Sequence, residues 1–233
     1  MTNPSIYQDI ATRTDGSLFL GVLGPVRTGK STFIKRFMET QVIPNIENVY
    51  RRERAIDELP QSGSGKTVMT AEPKFVPEEA VEVSLVKGAM GQFEDGQPRM
   101  VMTPWFEDEI PMAEAAEIGT RKVITEHSTI GIVVTTDGSI TDIDREDYIE
   151  PEDRVIQELK ELGKPFIVLL NSEEPTSQRA QSISQEISKK HGVACMPINC
   201  LTLNEQDIKN ILQAVLFEFP LCELDFYLPS WVD

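Results

Sequence analysis

The chain has 233 residues, one large domain or one domain with a small extension at roughly 100–200 residues per domain. Asp and Glu total 38 against 22 Lys and Arg, a formal charge of −16, while the apolar (40%) and charged (26%) fractions are those of an ordinary globular protein with a real core. The acidic balance weighs against duplex nucleic acid or an anionic membrane as the main partner, and no run approaches the ~20 apolar residues of a membrane span.

Apolar strand-like runs alternate with amphipathic helical stretches, the pattern of an α/β fold with a mostly parallel sheet and helices on both faces. The spacing predicts a helix over 4–12, a buried strand over 18–23 and a helix over 31–38. Residues 45–66 are polar, with Arg51-Arg52-Glu53-Arg54 followed by Pro60-Gln61-Ser62-Gly63-Ser64-Gly65, and read as a mobile loop. Short strands at 67–69 and 81–85 precede a glycine-rich loop at 88–96 and a helix over 112–127.

Ile130-Gly131-Ile132-Val133-Val134 is a strand that runs into Thr135-Thr136-Asp137-Gly138. A helix over 151–162 takes Pro151 as its start, puts Val155, Ile156, Leu159 and Leu162 on one face and stops at Gly163. A strand at 166–170, a helix over 177–190, a strand at 193–198 and a helix over 207–217 complete a domain expected over 1–220. Leu224, Phe226 and Leu228 alternate with Glu223, Asp225 and Tyr227, which reads as the start of a following domain, truncated, over 221–233.

Cys195, Cys200 and Cys222 form no CxxC pair, and the N-terminus lacks a signal-peptide pattern, so the thiols read as reduced and cytoplasmic. Cys195 and Cys200, in or beside an apolar run, are expected to be packing residues.

Gly24-Pro25-Val26-Arg27-Thr28-Gly29-Lys30-Ser31 fits G-x-x-x-x-G-K-[ST] at every fixed position, between a predicted strand and a predicted helix. Small residues let such a loop wrap phosphates, with backbone N–H groups and a helix N-terminus facing the anion. The expected nucleotide-binding set is Gly24, Pro25, Val26, Arg27, Thr28, Gly29, Lys30, Ser31 and Thr32. Lys30 would reach the β- and γ-phosphates, and Ser31 would hold Mg²⁺.

Arg27 is a catalytic candidate, because a cation there could stand in for an arginine finger; the plainer reading is a surface arginine paired with an acidic neighbour. Ser62-Gly63-Ser64-Gly65-Lys66-Thr67 imitates half the motif and reads as a loop. Thr67 and Thr70, beyond it, are candidates to sense the γ-phosphate and Mg²⁺ or else ordinary strand threonines.

The chain resembles the N-terminal ATPase domain of the stage IV sporulation protein A family, the spore-coat morphogenetic ATPases. The resemblance rests on the P-loop and on Asp57-Glu58-Leu59-Pro60-Gln61-Ser62, Gly65-Lys66-Thr67-Val68-Met69-Thr70 and Glu72-Pro73-Lys74-Phe75-Val76-Pro77. Glu126-His127-Ser128-Thr129-Ile130-Gly131, Gly163-Lys164-Pro165-Phe166 and Leu228-Pro229-Ser230-Trp231-Val232 extend it over nearly the whole chain.

It implies a translation-factor-like GTPase-type fold that uses ATP with Mg²⁺, a γ-phosphate-sensing and possible metal-contacting Thr70, and hydrolysis that drives self-assembly into a polymer. It also implies a mother-cell location at the forespore outer membrane, with a small amphipathic membrane protein and other coat proteins as partners of more C-terminal regions. A GTPase would carry Asn-Lys-x-Asp after the fifth strand; Asn171-Ser172-Glu173-Glu174 stands there, without the Lys and the Asp.

One element of the family pattern is missing. The apolar strand ending in Asp-x-x-Gly, whose Asp holds Mg²⁺ through water, has no place where Leu85 runs into Val86-Lys87-Gly88-Ala89. Either the segment is deleted or the sequence omits it; the second is favoured, because loss of a central strand should unfold the sheet. A true deletion predicts nucleotide binding without competent hydrolysis. Asp137 is the other carboxylate that closes an apolar strand as a metal partner would. His127, His191, Trp105 and Trp231 read as structural, and Asp142, Asp144, Glu146 and Asp147 lack the spacing of a calcium loop. Beside the ATPase stand two alternatives: a GTPase-type switch acting on a partner, and a nucleotide-binding scaffold without turnover.

Overall fold

The computed structural model describes residues 19–60, 83–84, 100–101, 110–111 and 128–219. The predicted elements over 4–12, 67–69, 88–96, 112–127 and 221–233, with Thr67, Thr70, His127, Trp105 and Trp231, lie outside the described residues.

Strand β1 (Leu20–Leu23) leads through the P-loop into helix α1 (Lys30–Phe37), which runs on through a π-helical turn (Met38–Val42) and a 3-10 turn (Ile43–Asn45). Helix α2 (Val49–Asp57) follows, then short strands β2 (Val83–Ser84), β3 (Met100–Val101) and β4 (Ile110–Pro111). The second half alternates β5 (Ile130–Thr136), α3 (Glu146–Glu161), β6 (Phe166–Asn171), α4 (Gln178–His191), β7 (Cys195–Ile198) and α5 (Glu205–Phe217). Five strands form one parallel sheet in the order β2-β1-β5-β6-β7, and β3 pairs antiparallel with β4.

The period-two alternation of the strands divides the core between two faces. Ile130, Ile132 and Val134 of β5 and Ile167 and Leu169 of β6 meet Phe33 and Ile34 of α1 and Ile208, Ile211, Leu212 and Val215 of α5. Val133, Phe166, Val168 and Leu170 point the other way, onto Val155, Ile156 and Leu159 of α3 and Ala180 and Ile187 of α4. Each such aliphatic side chain, fully buried, contributes about 1.5–3 kcal/mol. Gly131 faces α3 because nothing larger fits: a Cβ there would lie 2.9 Å from Phe166 Cβ and 3.4 Å from Leu159 Cδ2.

Helix ends follow their local chemistry. Ser177 caps α4, its hydroxyl accepting from the Ala180 amide, and Gly192 closes that helix in the left-handed region at φ 64°. Asn204 and Asp207 form a reciprocal capping box on α5.

Three expectations need correction. The polar stretch read as a mobile loop over 45–66 contains α2. Asn48 caps it by accepting from the Arg51 amide at 3.1 Å, worth about 1 kcal/mol, and Ala55 is buried. Arg52 also ties the helix back to the Ile46 carbonyl (Nε 3.1 Å, Nη2 2.8 Å). Pro151 lies inside α3 rather than at its start. The extra turn ahead of it buries Tyr148 and ends at the bidentate pair between Arg145 and Glu152 (2.7 and 2.8 Å), which offsets the amide that proline lacks.

The third correction concerns the missing strand. The sheet forms without it, because β2, from the predicted 81–85 strand, pairs directly with β1: Gly21 with Val83 and Val22 with Ser84.

Candidate nucleotide site

The P-loop turns at the carboxyl end of β1 and reaches across to Val134 of β5 and to Asn171 at the end of β6. Gly24 holds φ 128°, and a Cβ there would sit 2.1 Å from the Val134 carbonyl oxygen, so only glycine passes under β5. Gly29, at φ 97°, is the N-cap of α1 and is as tightly confined: a Cβ would fall 2.2 Å from Asn171 Nδ2. Between them Arg27 takes φ 58°, the one non-glycine positive φ among the described residues, and is exposed. The Thr28 hydroxyl donates to the Pro25 carbonyl at 3.0 Å, bracing the loop internally. Helix α1 begins with no side-chain cap and no acidic residue in its first turn, so its amides and dipole face the concave side of the loop without a competing anion.

Lys30, the first residue of α1, is buried, and its ammonium donates to the carbonyls of Gly24 (2.9 Å) and Pro25. Removal from water pushes its pKa down to about 7. The cation is thus folded back on its own loop, within the ring of atoms that a phosphate chain would occupy. Gly24, Pro25 and Thr28 are buried, while Val26, Ser31 and Thr32 are half-exposed along the loop and the first turn of α1. Arg27 is exposed, and among the described residues it forms no ion pair. Burial raises the Tyr148 phenol, opposed by the Thr141 hydroxyl and then by the Arg27 charge.

Asn171, the last residue of β6, fastens this arrangement. Its Nδ2 donates to the Thr28 carbonyl at 2.9 Å, and its Oδ1 accepts from the Cys200 amide at 3.0 Å. A single buried side chain therefore joins the P-loop to the turn after β7. Sequence reasoning weighed Asn171 only for base recognition; an asparagine closing an otherwise apolar strand was the signal for a structural clamp.

With this strand–loop–helix geometry in place, the family model described as "Stage IV sporulation protein A, ATPase domain" matches residues 1–220. The chain belongs to the stage IV sporulation protein A family. It is 51% identical to stage IV sporulation protein A of Clostridioides difficile (strain 630) over 248 aligned positions, covering 99% of this chain and 50% of the relative. The same protein of Bacillus subtilis (strain 168) is 51% identical over 249 positions, covering 100% of this chain and 51% of the relative. The chain spans about half the length of these curated relatives.

The alignment with the B. subtilis stage IV sporulation protein A runs 16 positions beyond the 233 residues available here, so at least that many positions of the relative have no counterpart. Asp137 closes its own turn: its Oδ1 accepts from the Ser139 amide (2.9 Å) and hydroxyl (2.6 Å). Burial opposes its ionisation, but the hydroxyls of Ser139 and Ser172, the Ser139 amide and the Arg179 charge hold the carboxyl below the usual range.

The donor set for Mg²⁺ is lean. Among the described residues no three His, Cys, Asp or Glu side chains converge as a cage. Ser31, half-exposed on the first turn of α1, fits a Mg²⁺ that takes one hydroxyl from the protein and the rest of its oxygens from phosphate and water. The two described cysteines are packing residues. Burial pushes Cys195 and Cys200 up to about 12. His191 is structural, its Nε2 2.9 Å from Asp153 Oδ1. No helix among the described residues is long and apolar enough to cross a membrane.

Proposed function

We propose that this domain binds Mg²⁺·ATP on the 24–32 loop and hydrolyses the γ-phosphate bond. In the longer protein, that turnover would drive irreversible self-assembly of the spore-coat basement layer on the mother-cell side of the forespore outer membrane. The observation that carries the reading is the P-loop between β1 and α1, clamped through Thr28 by Asn171. When ATP enters, Lys30 would leave the Gly24 and Pro25 carbonyls for the β- and γ-phosphates, and the backbone amides of the loop would complete the anion cradle. Ser31 would hold the cation, Arg27 would neutralise charge that builds on the bridging oxygens, and Thr70 would orient the γ-phosphate or the attacking water. Bound Mg²⁺ supplies charge neutralisation at the β- and γ-oxygens.

A second reading has its own support. At least 16 positions of the B. subtilis relative are without counterpart here, and the Asp-x-x-Gly segment is absent from the sequence. This favours a domain that binds ATP tightly and turns it over slowly or not at all. Phosphate release from ATP and from GTP with Mg²⁺, beside a Lys30→Ala control, separates the two. Lys30-dependent release from ATP supports the ATPase, binding without release supports the second reading, and a preference for GTP overturns both in favour of a GTPase-type switch.

A further inference from the structure

Helix α1 carries Lys30 and Ser31 in its first turn, and bonds at its two ends lead to one place. At the front, the Thr28 carbonyl accepts from Asn171, whose Oδ1 accepts from the Cys200 amide. At the back, Arg36, in the last turn of α1, donates from Nε (2.8 Å) and Nη2 to the Leu201 carbonyl. Cys200 and Leu201 are neighbours in the turn after β7. That turn is itself fixed, since the Leu201 amide donates to Asn199 Oδ1 (2.9 Å) and Asn199 Nδ2 donates to the Glu173 carbonyl (3.1 Å).

Between its two ends the helix rests on Phe33 and Ile34, both buried in the core. Apolar packing is non-directional and leaves a helix of this length free to rock on such a contact. At about 1.5 Å of rise per residue, Ser31 stands about 4 Å in front of the contact and Arg36 about 4 Å behind it. A displacement at Arg36 therefore returns at Ser31 with comparable size. The Arg36 side chain is half-exposed and Leu201 is exposed, so water would take up both groups if their bond were lost. The fold would lose little; the aim of the first turn would suffer.

We infer that Arg36 is a positioning residue for the metal-bound nucleotide: by holding the back of α1 on the Leu201 carbonyl, it aims the Ser31 hydroxyl. Mg²⁺ demands near-octahedral oxygens at about 2.0–2.1 Å, which makes Ser31 the contact least tolerant of a tilted helix. Misplacement of a positioned group by about 1 Å can cost about a hundredfold. Phosphate alone is more forgiving, because the long Lys30 side chain can follow it. This rests on the reading of the P-loop as an ATP site with Ser31 as its metal ligand.

The test measures equilibrium binding of ATP with Mg²⁺ and again in EDTA. The variants are Arg36→Ala, Arg36→Met, Glu39→Gln and Lys30→Ala, with circular dichroism to confirm folding. Arg36→Met keeps the aliphatic stem without the donors, and it carries the test if Arg36→Ala fails to fold. Loss of the donors is expected to weaken Mg²⁺·ATP at least about fivefold while ATP in EDTA loses less than about twofold. Glu39→Gln, which removes only the ion pair to Arg36 Nη1 at 3.5 Å, should bind as the wild type does. Unchanged Mg²⁺·ATP affinity in Arg36→Met, a loss of equal size in EDTA, or an equal loss in Glu39→Gln overturns the role of Arg36 while leaving Lys30-dependent binding intact. Binding that ignores Lys30→Ala instead overturns the P-loop site and this inference together.

Discussion

Asn171 Nδ2 lies 2.9 Å from the Thr28 carbonyl oxygen, a bond that spans 143 residues of sequence. Both groups are buried, and the other end of the same side chain serves the Cys200 amide. Asn171→Ala would leave a buried carbonyl and a buried N–H without partners. The expected loss is about 2–4 kcal/mol in urea unfolding, at ~1–3 kcal/mol for each orphaned group, together with weaker ATP binding. Asn171→Asp keeps the acceptor and loses the donor, and should fall between the two.

Lys30 makes the site sensitive to pH. Its pKa of about 7 lies below the ordinary value of 10.5. Between those values the unfolded chain holds a proton that the folded chain has released, so this group makes stability rise with pH across the window. Its destabilisation is fully present below pH 7. Phosphates favour the charged form, so ATP binding takes up a proton above pH 7 and weakens by up to about tenfold per pH unit. Calorimetry in buffers of different ionisation enthalpy at pH 8 reads the uptake directly, and Lys30→Met should abolish it.

Gly24→Ala forces a Cβ to within 2.1 Å of the Val134 carbonyl oxygen at φ 128°. The strained backbone alone is expected to cost about 1–3 kcal/mol. The displaced loop should bind ATP at least tenfold more weakly. Circular dichroism separates a folded variant with a lost site from a chain that fails to fold.

Gly131→Ala probes the opposite face of the sheet. Its new Cβ meets Phe166 and Leu159, and overpacking of this kind costs about 1–3 kcal/mol. Thermal unfolding should register that loss, while the ATP affinity of the folded fraction stays at the wild-type value.

The thiols offer a chemical readout. Cys200 is buried and pushed up from 9.0 to about 12, so its thiolate population falls about a thousandfold. Iodoacetamide at pH 8, followed by peptide mapping, should leave Cys200 unmodified in the folded protein and label it on unfolding. Asn171→Ala, which releases the Cys200 amide, should speed that labelling.

Where one residue's chemistry decides, the sequence was legible. Gly24, Gly29 and Lys30 announced the loop, and β5 and β6 were plain as apolar runs bounded by turn residues. Helix α2 was hidden because its stability comes from the Asn48 cap, the buried Ala55 and the Arg52–Ile46 contact rather than from an apolar stripe. The start of α3 was misplaced because Tyr148 and the Arg145–Glu152 pair extend the helix past a proline. Asp137 shared the position of a metal partner at a strand end while the family match set it on the following strand, and its bonds to Ser139 exist only once the turn is closed. The asparagine closing β6 marked a clamp, but its partners, Thr28 and Cys200, lie far along the chain and carry no mark of the pairing.

The alternation of side chains across β5 and β6 also bears on how tolerant the two halves of the core are to change. Among the described residues, those buried under α3 and α4 form a cluster separate from those under α1 and α5. Lesions on opposite sides should therefore combine additively, while paired lesions within one side should show coupling. Substitutions on either side reach the loop at particular points: beneath α3 and α4 through Leu23, which adjoins Gly24, and beneath α1 and α5 through Phe33 and Ile34, one turn behind Lys30. Away from those three residues each half of the core is free to drift.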